Sequence, residues 1–548
     1  MVKGYILRDA IISASNNISS NRQKIDELNV FPVPDGDTGT NMSMTIGACA
    51  KELAILRDDV TVTKVADTAA SALLRGARGN SGVILSLLFR GFSKGLKGMD
   101  EADGKTLVSA LQCGVDAAYN AVMKPTEGTI LTVARVAAEK TKEFAQENGD
   151  EAAVWEKLCE NADEALKKTP EQLPVLKKAG VVDAGGMGLL VIFKGMLSVF
   201  KDGKMVENRG TQVQTVSTAK SNVNLDDDIK FTYCTEFIVE RSHDNSRDAL
   251  SLRAYLESIG DCVVVVDDDS IIKVHVHTNN PGKAIQAALK YGMLINIKID
   301  NMRVQHRNTG WTGEAGEDAQ AGTYAEPEKE YGFVAVAAGE GLQSLFTDLG
   351  VDNMVRGGQT MNPSTDDILA AVNATPAETV FVLPNNKNII MAAEQVIPLT
   401  EKKVSVLPTK TIPQGITAML NFDPDAEAGE NHMNMMKAAK NVSTGSVTFA
   451  ARDSDIDGMN IKEGQILGLE EGKPTLTDSD AQNAAYRITK RLIKRGSSQF
   501  VTLIYGENID EAQAQSVEKR LKEKYGDDIE VTLVNGGQPV YYYIISVE

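Results

Sequence analysis

A chain of 548 residues has room for roughly three or four domains. Its formal net charge of −18 argues against an extended nucleic-acid surface, which requires clustered Lys and Arg to neutralise phosphates, so no nucleic-acid partner is expected. Five cysteines (Cys49, Cys113, Cys159, Cys234, Cys262), scattered and odd in number, argue for reduced thiols; with no signal-peptide pattern at Met1 to Ala10, a cytoplasmic location is expected.

The first informative stretch in chain order runs from Asn29 to Asn41. Asp35 and Asp37, spaced by Gly36, follow Pro32 and Pro34 and precede Gly39, which makes a compact acidic loop. Such a loop suits Mg²⁺, which takes hard oxygen ligands from one or two carboxylates and completes its shell with waters and phosphate oxygens. The residues Thr38, Gly39, Thr40 and Asn41 are small enough for backbone N–H groups to approach a phosphate. Pro-Asp-Gly-Asp is equally ordinary turn chemistry, and the residues alone leave both readings open.

From there to residue 202 the pattern is helical. Apolar residues recur at three- and four-residue spacing in Val65 to Leu74, Ile84 to Phe89 and Leu107 to Val122, while strand-like runs are scarce. An all-α domain with its chemistry in the loops is expected. Between the first two of these helices, the run from Arg75 through Arg78 and Gly79 to Gly82 breaks the chain and restarts a helix at Ser81. A helix start with free N–H groups is an anion site, although a plain interhelical turn fits the same residues. Two further junctions, around Gly128 and Thr129 and around Asp183, Ala184 and Gly185, bring the glycine-rich helix ends to four, which suggests a built site. The most apolar segment, Gly188 to Phe193, is interrupted by Lys194 and falls short of the ~20 residues a bilayer crossing needs, so no transmembrane segment is expected. The P-loop, the kinase His-Arg-Asp loop and the G-x-S-x-G elbow are all missing from the sequence.

Two polar, aperiodic stretches, 203–228 and 310–330, read as linkers and bound a middle region over 229–309. There, strands are predicted at Phe231 to Val239, Cys262 to Val266 and Ile271 to His277, with a helix over Ser246 to Ile259. Strand alternation puts Cys234 and Glu236 on one face, and His275 and His277 on one face of another strand. Zn²⁺ accepts such a ligand set, and a polar sheet face fits it as well. From 331 onward strands and helices alternate, which predicts an α/β region with a mostly parallel sheet and two lobes. It includes a β-hairpin over Ser446 to Leu469 and a long helix over Asp480 to Lys494.

The acidic loop, Arg78-Gly79-Asn80-Ser81-Gly82, Glu127-Gly128-Thr129 and Asp183-Ala184-Gly185-Gly186 occur in the order seen in the DhaL-type nucleotide domains of dihydroxyacetone kinases, which the first region resembles. The resemblance implies an all-α barrel holding ADP or ATP through two Mg²⁺ ions. It implies Asp35 and Asp37 as metal ligands at the catalytic centre, and Thr38 to Asn41 with Ser81 and Gly82 on phosphates. Gly128 and Thr129 would also belong to the nucleotide site, with Asp183 to Gly185 near the adenine. That family has a third metal carboxylate upstream; here the nearest candidate is Asn29, a neutral oxygen ligand offset by one residue.

Over nearly its whole length the chain resembles the ATP-binding subunit of bacterial fatty acid kinase. That family takes a fatty acid presented by a separate lipid-binding protein of the DegV family and converts its carboxylate to an acyl phosphate. Arg75 or Arg78, with Arg78 the catalytic candidate, would add positive charge near the transferred group. The resemblance also implies a Cys and His zinc site in the middle domain, at Cys234, His275 and His277 with Glu236 or solvent as fourth ligand, and a homodimer. Gly357 to Thr365 resembles the polar loop by which DegV-type proteins hold a fatty-acid carboxylate. No His stands at Val534 to Gln538, so docking to the lipid-carrying partner is the expected role of this region.

The expected architecture is thus multidomain. It comprises an all-α nucleotide-binding barrel (1–202), a small α+β middle domain (229–309) and a DegV-like α/β domain (331–548). A glycerone-type kinase and a non-catalytic nucleotide-binding regulator are the alternative functions.

Overall fold

The computed structural model describes the chain except for residues 30–36, 123, 208–232, 242–248, 268–270, 302–323, 359–360, 457 and 495–497. Two compact units form: Met1–Val213 packs together with Gln320–Glu548, and Gln214–Ala319 is the second. Much of the two stretches expected as linkers lies outside the described residues.

The N-terminal part is built from helices α1 (Gly4–Asp26), α2 (Thr38–Leu53), α3 (Val62–Arg75), α4 (Gly79–Gly95), α5 (Gly104–Ala121), α6 (Ile130–Glu147), α7 (Glu151–Lys167), α8 (Thr169–Gln172), α9 (Pro174–Ala179) and α10 (Ala184–Asp202). Helix α3 exemplifies why. Val62, Val65, Ala66, Ala69, Ala72 and Leu73 form one buried stripe, and the Thr61 hydroxyl caps the start by accepting from the Lys64 N–H. Each buried Val or Leu contributes about 1.5–3 kcal/mol. Helix α10 is long and apolar enough to cross a membrane, yet 61% of its apolar window is buried inside the fold. Trp155 of α7 fixes it there, donating from Nε1 to the Phe193 carbonyl at 3.0 Å and meeting Phe193 and Phe200 edge-on.

The C-terminal part has two sheets. The first is wholly parallel, in the order Lys403–Val406, Ala377–Leu383, Lys329–Ala337, Asn353–Arg356. Its strands are apolar on both faces, as parallel strands must be. Phe333, Ala335 and Phe381 point into one core, while Val334, Val336, Val380 and Val382 join the core of the N-terminal helices through Ile368 and Ile389. The second sheet runs Lys473–Asp478, Ile466–Glu470, Ser443–Phe449, Tyr543–Val547, Phe500–Tyr505, Glu530–Asn535. The first sheet meets the expectation of a parallel sheet; this second one departs from it, because only its last pair is parallel. The cause is connection length: Glu471 and Gly472, at φ 49° and 75°, close a two-residue hairpin that only antiparallel strands can use. The parallel pair instead is joined through the helix Glu511–Tyr525.

The second unit is α+β. Its antiparallel sheet has the order Gly260–Asp267, Ile271–Thr278, Tyr233–Arg241, Gly292–Asn301, and the helices Ala249–Ile259 and Pro281–Ala288 bury Leu252, Leu256, Ala284 and Ala288 with Phe237, Val239, Val274 and Val276.

Candidate active site

The acidic loop leads into α2. Asp37 is the N-cap of that helix, whereas Asp35 lies outside the described residues. The first donors of α2 are taken by a carboxylate at the end of α1. Asp26 Oδ1 accepts from the Gly39 N–H at 2.6 Å and the Thr40 N–H at 3.1 Å, and Oδ2 accepts from the Thr40 hydroxyl at 2.8 Å. The Thr38 hydroxyl donates to Asn29 Oδ1 at 2.8 Å. A Cβ on Gly39 would lie 2.2 Å from the Arg22 carbonyl oxygen, so only glycine lets α2 begin this close to α1. Gly39 and Thr40, expected on phosphate, are therefore engaged within the protein, and Asp26 is the residue sequence reasoning missed. Its partners are 13 and 14 residues away across a loop, beyond any helix-cap spacing.

Helix α4 starts differently. Arg78 is its N-cap and no side chain caps its first turn, which holds Asn80 and the half-buried Ser81. Orphan N–H groups of this kind, with the positive end of the helix dipole, attract anions. Gly79 sits at φ 57°, and a Cβ there would lie 2.6 Å from Asn41 Nδ2. The Thr45 hydroxyl locks the two starts together, accepting from the Arg78 N–H at 3.2 Å and donating to the Asn41 carbonyl at 2.7 Å. Gly82 packs against the same hydroxyl. Asn80 Oδ1 is buried without a hydrogen-bond partner, a hard oxygen acceptor that calls for a ligand or water.

The other two junctions also meet. At α6, Gly128 takes φ 81° and donates its N–H to Thr132 Oγ1 at 2.8 Å, while Thr129 is an N-cap without a side-chain cap bond. At α10, Asp183 Oδ2 accepts from the Gly186 N–H at 2.7 Å. Burial pushes this carboxyl up to about 6, against the stabilising N–H groups of Gly186 and Ile130. Ala184 and Gly185 form the buried first turn, with Gly185 facing Ile130, and Gly188 lies on the Met42 sulfur of α2. The starts of α2 and α4 thus form one cluster, those of α6 and α10 another, with α2 and α10 in contact one turn further in.

The C-terminal part completes the first cluster. Asn362, buried, donates from Nδ2 to Asp37 Oδ2 at 2.7 Å. Arg78 donates from Nη1 to the Asn362 carbonyl at 2.7 Å, and its Nη2 lies 3.4 Å from Asp367 Oδ2. That carboxylate also accepts from the Ser364 N–H in the capping box of the helix Thr365–Ala374, and the Thr365 N–H donates to the Ala77 carbonyl at 3.1 Å. Arg78, the expected catalytic arginine, thus also bridges to the C-terminal part, where both ends of its guanidinium are held. Arg75 pairs with Glu52 at 2.5 Å. Further along, Arg452 donates to the Glu27 carbonyl at 2.7 Å. The stretch Gly357 to Thr365 serves two places, since Gly357 and Gly358 line a cleft of about 200 Å³ with Asn385, Lys410, Thr444 and Ile544.

In the middle unit the backbone register sets Cys234 opposite His277 and Glu236 opposite His275. Only the backbone is described at these four positions, and among the described residues no group of three or more His, Cys, Asp and Glu could hold a metal. Cys49, Cys113 and Cys159 are free thiols.

Residues 32–198 match the DAK2 domain, 230–309 the middle domain of the FakA-like fatty acid kinase family, and 332–548 the C-terminal domain of the same family. Protein YloV of Bacillus subtilis is 43% identical across 100% of this chain and 99% of its own length, and protein SH1689 of Staphylococcus haemolyticus is 39% identical with the same coverage. Among solved structures, the DegV family protein Cg2579 from Corynebacterium glutamicum is 12% identical with a TM-score of 0.33, covering 40% of this chain and 97% of its own. The dihydroxyacetone kinase from C. freundii in complex with AMP-PNP and Mg²⁺ is 20% identical with a TM-score of 0.27, covering 34% of this chain and 33% of its own. Three successive domain matches and identity over the full length agree: the chain belongs to the FakA-like fatty acid kinase family.

Proposed function

We propose that this protein transfers the γ-phosphoryl group of ATP to the carboxylate of a fatty acid carried by a separate DegV-family fatty-acid-binding protein, giving an acyl phosphate. The observation that carries the proposal is the uncapped start of α4 beside Asp37, within a chain of this family. The donor set fits Mg²⁺: Asp37, the preceding Asp35, and the amide oxygens of Asn29 and Asn80 are all hard oxygens. Bound magnesium would neutralise charge on the phosphates being cleaved. The N–H groups of Asn80 and Ser81 at α4 would orient the phosphate chain with Gly82, whose own N–H closes the first turn on the Arg78 carbonyl, packed beneath them, and the α6 and α10 starts with Gly128, Thr129, Asp183, Ala184 and Gly185 would seat the rest of the nucleotide. A carboxylate acceptor is already a nucleophile at neutral pH, so the site needs positioning and no side-chain general base.

The test is ATP consumption by the purified protein with fatty acid and a lipid-binding partner, compared with the Asp35→Ala, Asp37→Ala double variant. Unchanged consumption in the variant would sink the proposal, and consumption with glycerone in place of fatty acid would redirect it. A zinc site at Cys234, His275, His277 and Glu236 belongs to the same proposal, supported by the strand register. Metal analysis of Cys234→Ser tests it, full retention of metal removing the claim. A cytoplasmic homodimer completes the picture.

A further inference from the structure

We infer that Asn362, contributed by the C-terminal part, is a positioning residue of the nucleotide site: it orients the Asp37 carboxylate from behind, so that the site is complete only when the two parts are packed together. This rests on the reading of Asp37 as a magnesium ligand. Carboxylates that bind metals are themselves held by hydrogen bonds, which fix the direction of the ligating oxygen. Asn362 Nδ2 makes such a bond to Asp37 Oδ2 at 2.7 Å from a side chain that is only 3% exposed.

The amide is not placed by chance packing. The backbone carbonyl of Asn362 accepts from Arg78 Nη1, Asp367 holds the other end of that guanidinium, and an antiparallel bridge pairs Arg78 with Ser364. Gly79 leaves the opening for it: a Cβ there would sit 3.4 Å from Asn362 Nδ2 and 2.6 Å from Asn41 Nδ2. The amide thus lies between the start of α2, which carries the carboxylate, and the start of α4, which offers the anion-binding N–H groups. Its Nδ2 donates to Asp37, which suits an ionised carboxylate and adds no charge against the cation.

The experiment is calorimetric titration of the full chain with MgADP, and with ADP in chelator, for the wild type, Asn362→Leu and Asn362→Ala. Melting temperatures without nucleotide are recorded beside it. Leucine keeps the volume and the Arg78 bond to the backbone carbonyl while removing the donor. Both variants should bind MgADP about 10- to 100-fold more weakly, as is usual when the support of a metal ligand is lost, with a much smaller change for metal-free ADP. Unchanged or tighter MgADP binding in both variants overturns the inference, tighter binding meaning that the amide competes for the cation's place. An equal loss with and without magnesium also overturns it, because Asn362 would then act on packing alone. If the wild type binds no MgADP, the nucleotide reading itself fails and the inference with it; if the wild type binds and the variants bind equally, only the inference fails.

Discussion

The starts of α2 and α10 are closed by carboxylates, Asp26 and Asp183, and Asp183 also takes the Ile130 N–H at the start of α6, whereas the start of α4 carries no side-chain cap. A glycine stands at or within two residues of all four starts, so composition alone does not separate them. What separates them is where an acceptor lies in space: a capped start has spent its orphan N–H groups on a stability bond, and an uncapped one keeps them for a ligand. The start of α4 is the one of the four whose first turn no side chain closes, which supports the anion role proposed for it.

The largest expected effect comes from the carboxylate between the two kinds. Under the proposed function, Asp37→Ala should lower ATP turnover roughly 1000-fold, about 4 kcal/mol of barrier, because it would remove a hard oxygen from the proposed metal donor set. A steady-state assay across Mg²⁺ concentrations measures it, and recovery at high Mg²⁺ would mean that Asp37 only supports the site.

Asp183 tests the stability side through pH. Its folded carboxyl titrates at about 6, above the ordinary aspartate value of 3.8, because burial disfavours the charge. The folded state therefore binds the proton first as pH falls. The stability from this group is fully present below about 3.8 and lost as pH rises through about 6. The span is at most about 3 kcal/mol, reduced by the side chain's partial solvent access. Asp183→Asn keeps an acceptor for the Gly186 N–H and should flatten the change in melting temperature between pH 4 and 7. An undiminished slope would place the titration elsewhere.

Gly79→Ala forces an L side chain to φ 57° and drives a methyl toward Asn41. About 2 kcal/mol of strain is expected, read as weaker nucleotide binding in calorimetry. Loss of thermal stability with full affinity would mean that α4 is not the ligand's helix. The smallest effect is Asp26→Ala, which uncaps α2 and should cost about 1 kcal/mol in denaturant unfolding. Should it weaken nucleotide binding by much more than that, the capped class would also belong to the ligand site.

How far the sequence reaches depends on the range of each interaction. The stripe of α3 and the junction at Gly79 to Gly82 are local patterns and are legible within a few residues. The helix Glu511–Tyr525 also carried its signal, with Ala514, Val517 and Leu521 buried on one face, yet its abundant charge hid that stripe. The strand Tyr543–Val547 is buried at every position and so shows no alternation to read. Asp26 on α2 and Asn362 on Asp37 have no local signature at all, because each depends on backbone brought back from elsewhere in the fold.

The bond between Asp37 and Asn362 spans 325 residues. At a synthesis rate of about 5–20 residues per second, roughly 20 to 60 s pass between the emergence of the two from the ribosome. Throughout that interval the helices expose the apolar surface that Ile368, Val372, Ile389 and Ala392 later join. A newborn N-terminal part is therefore adhesive as a surface, and it lacks the Asn362 partner of Asp37 until about two thirds of the chain has been made.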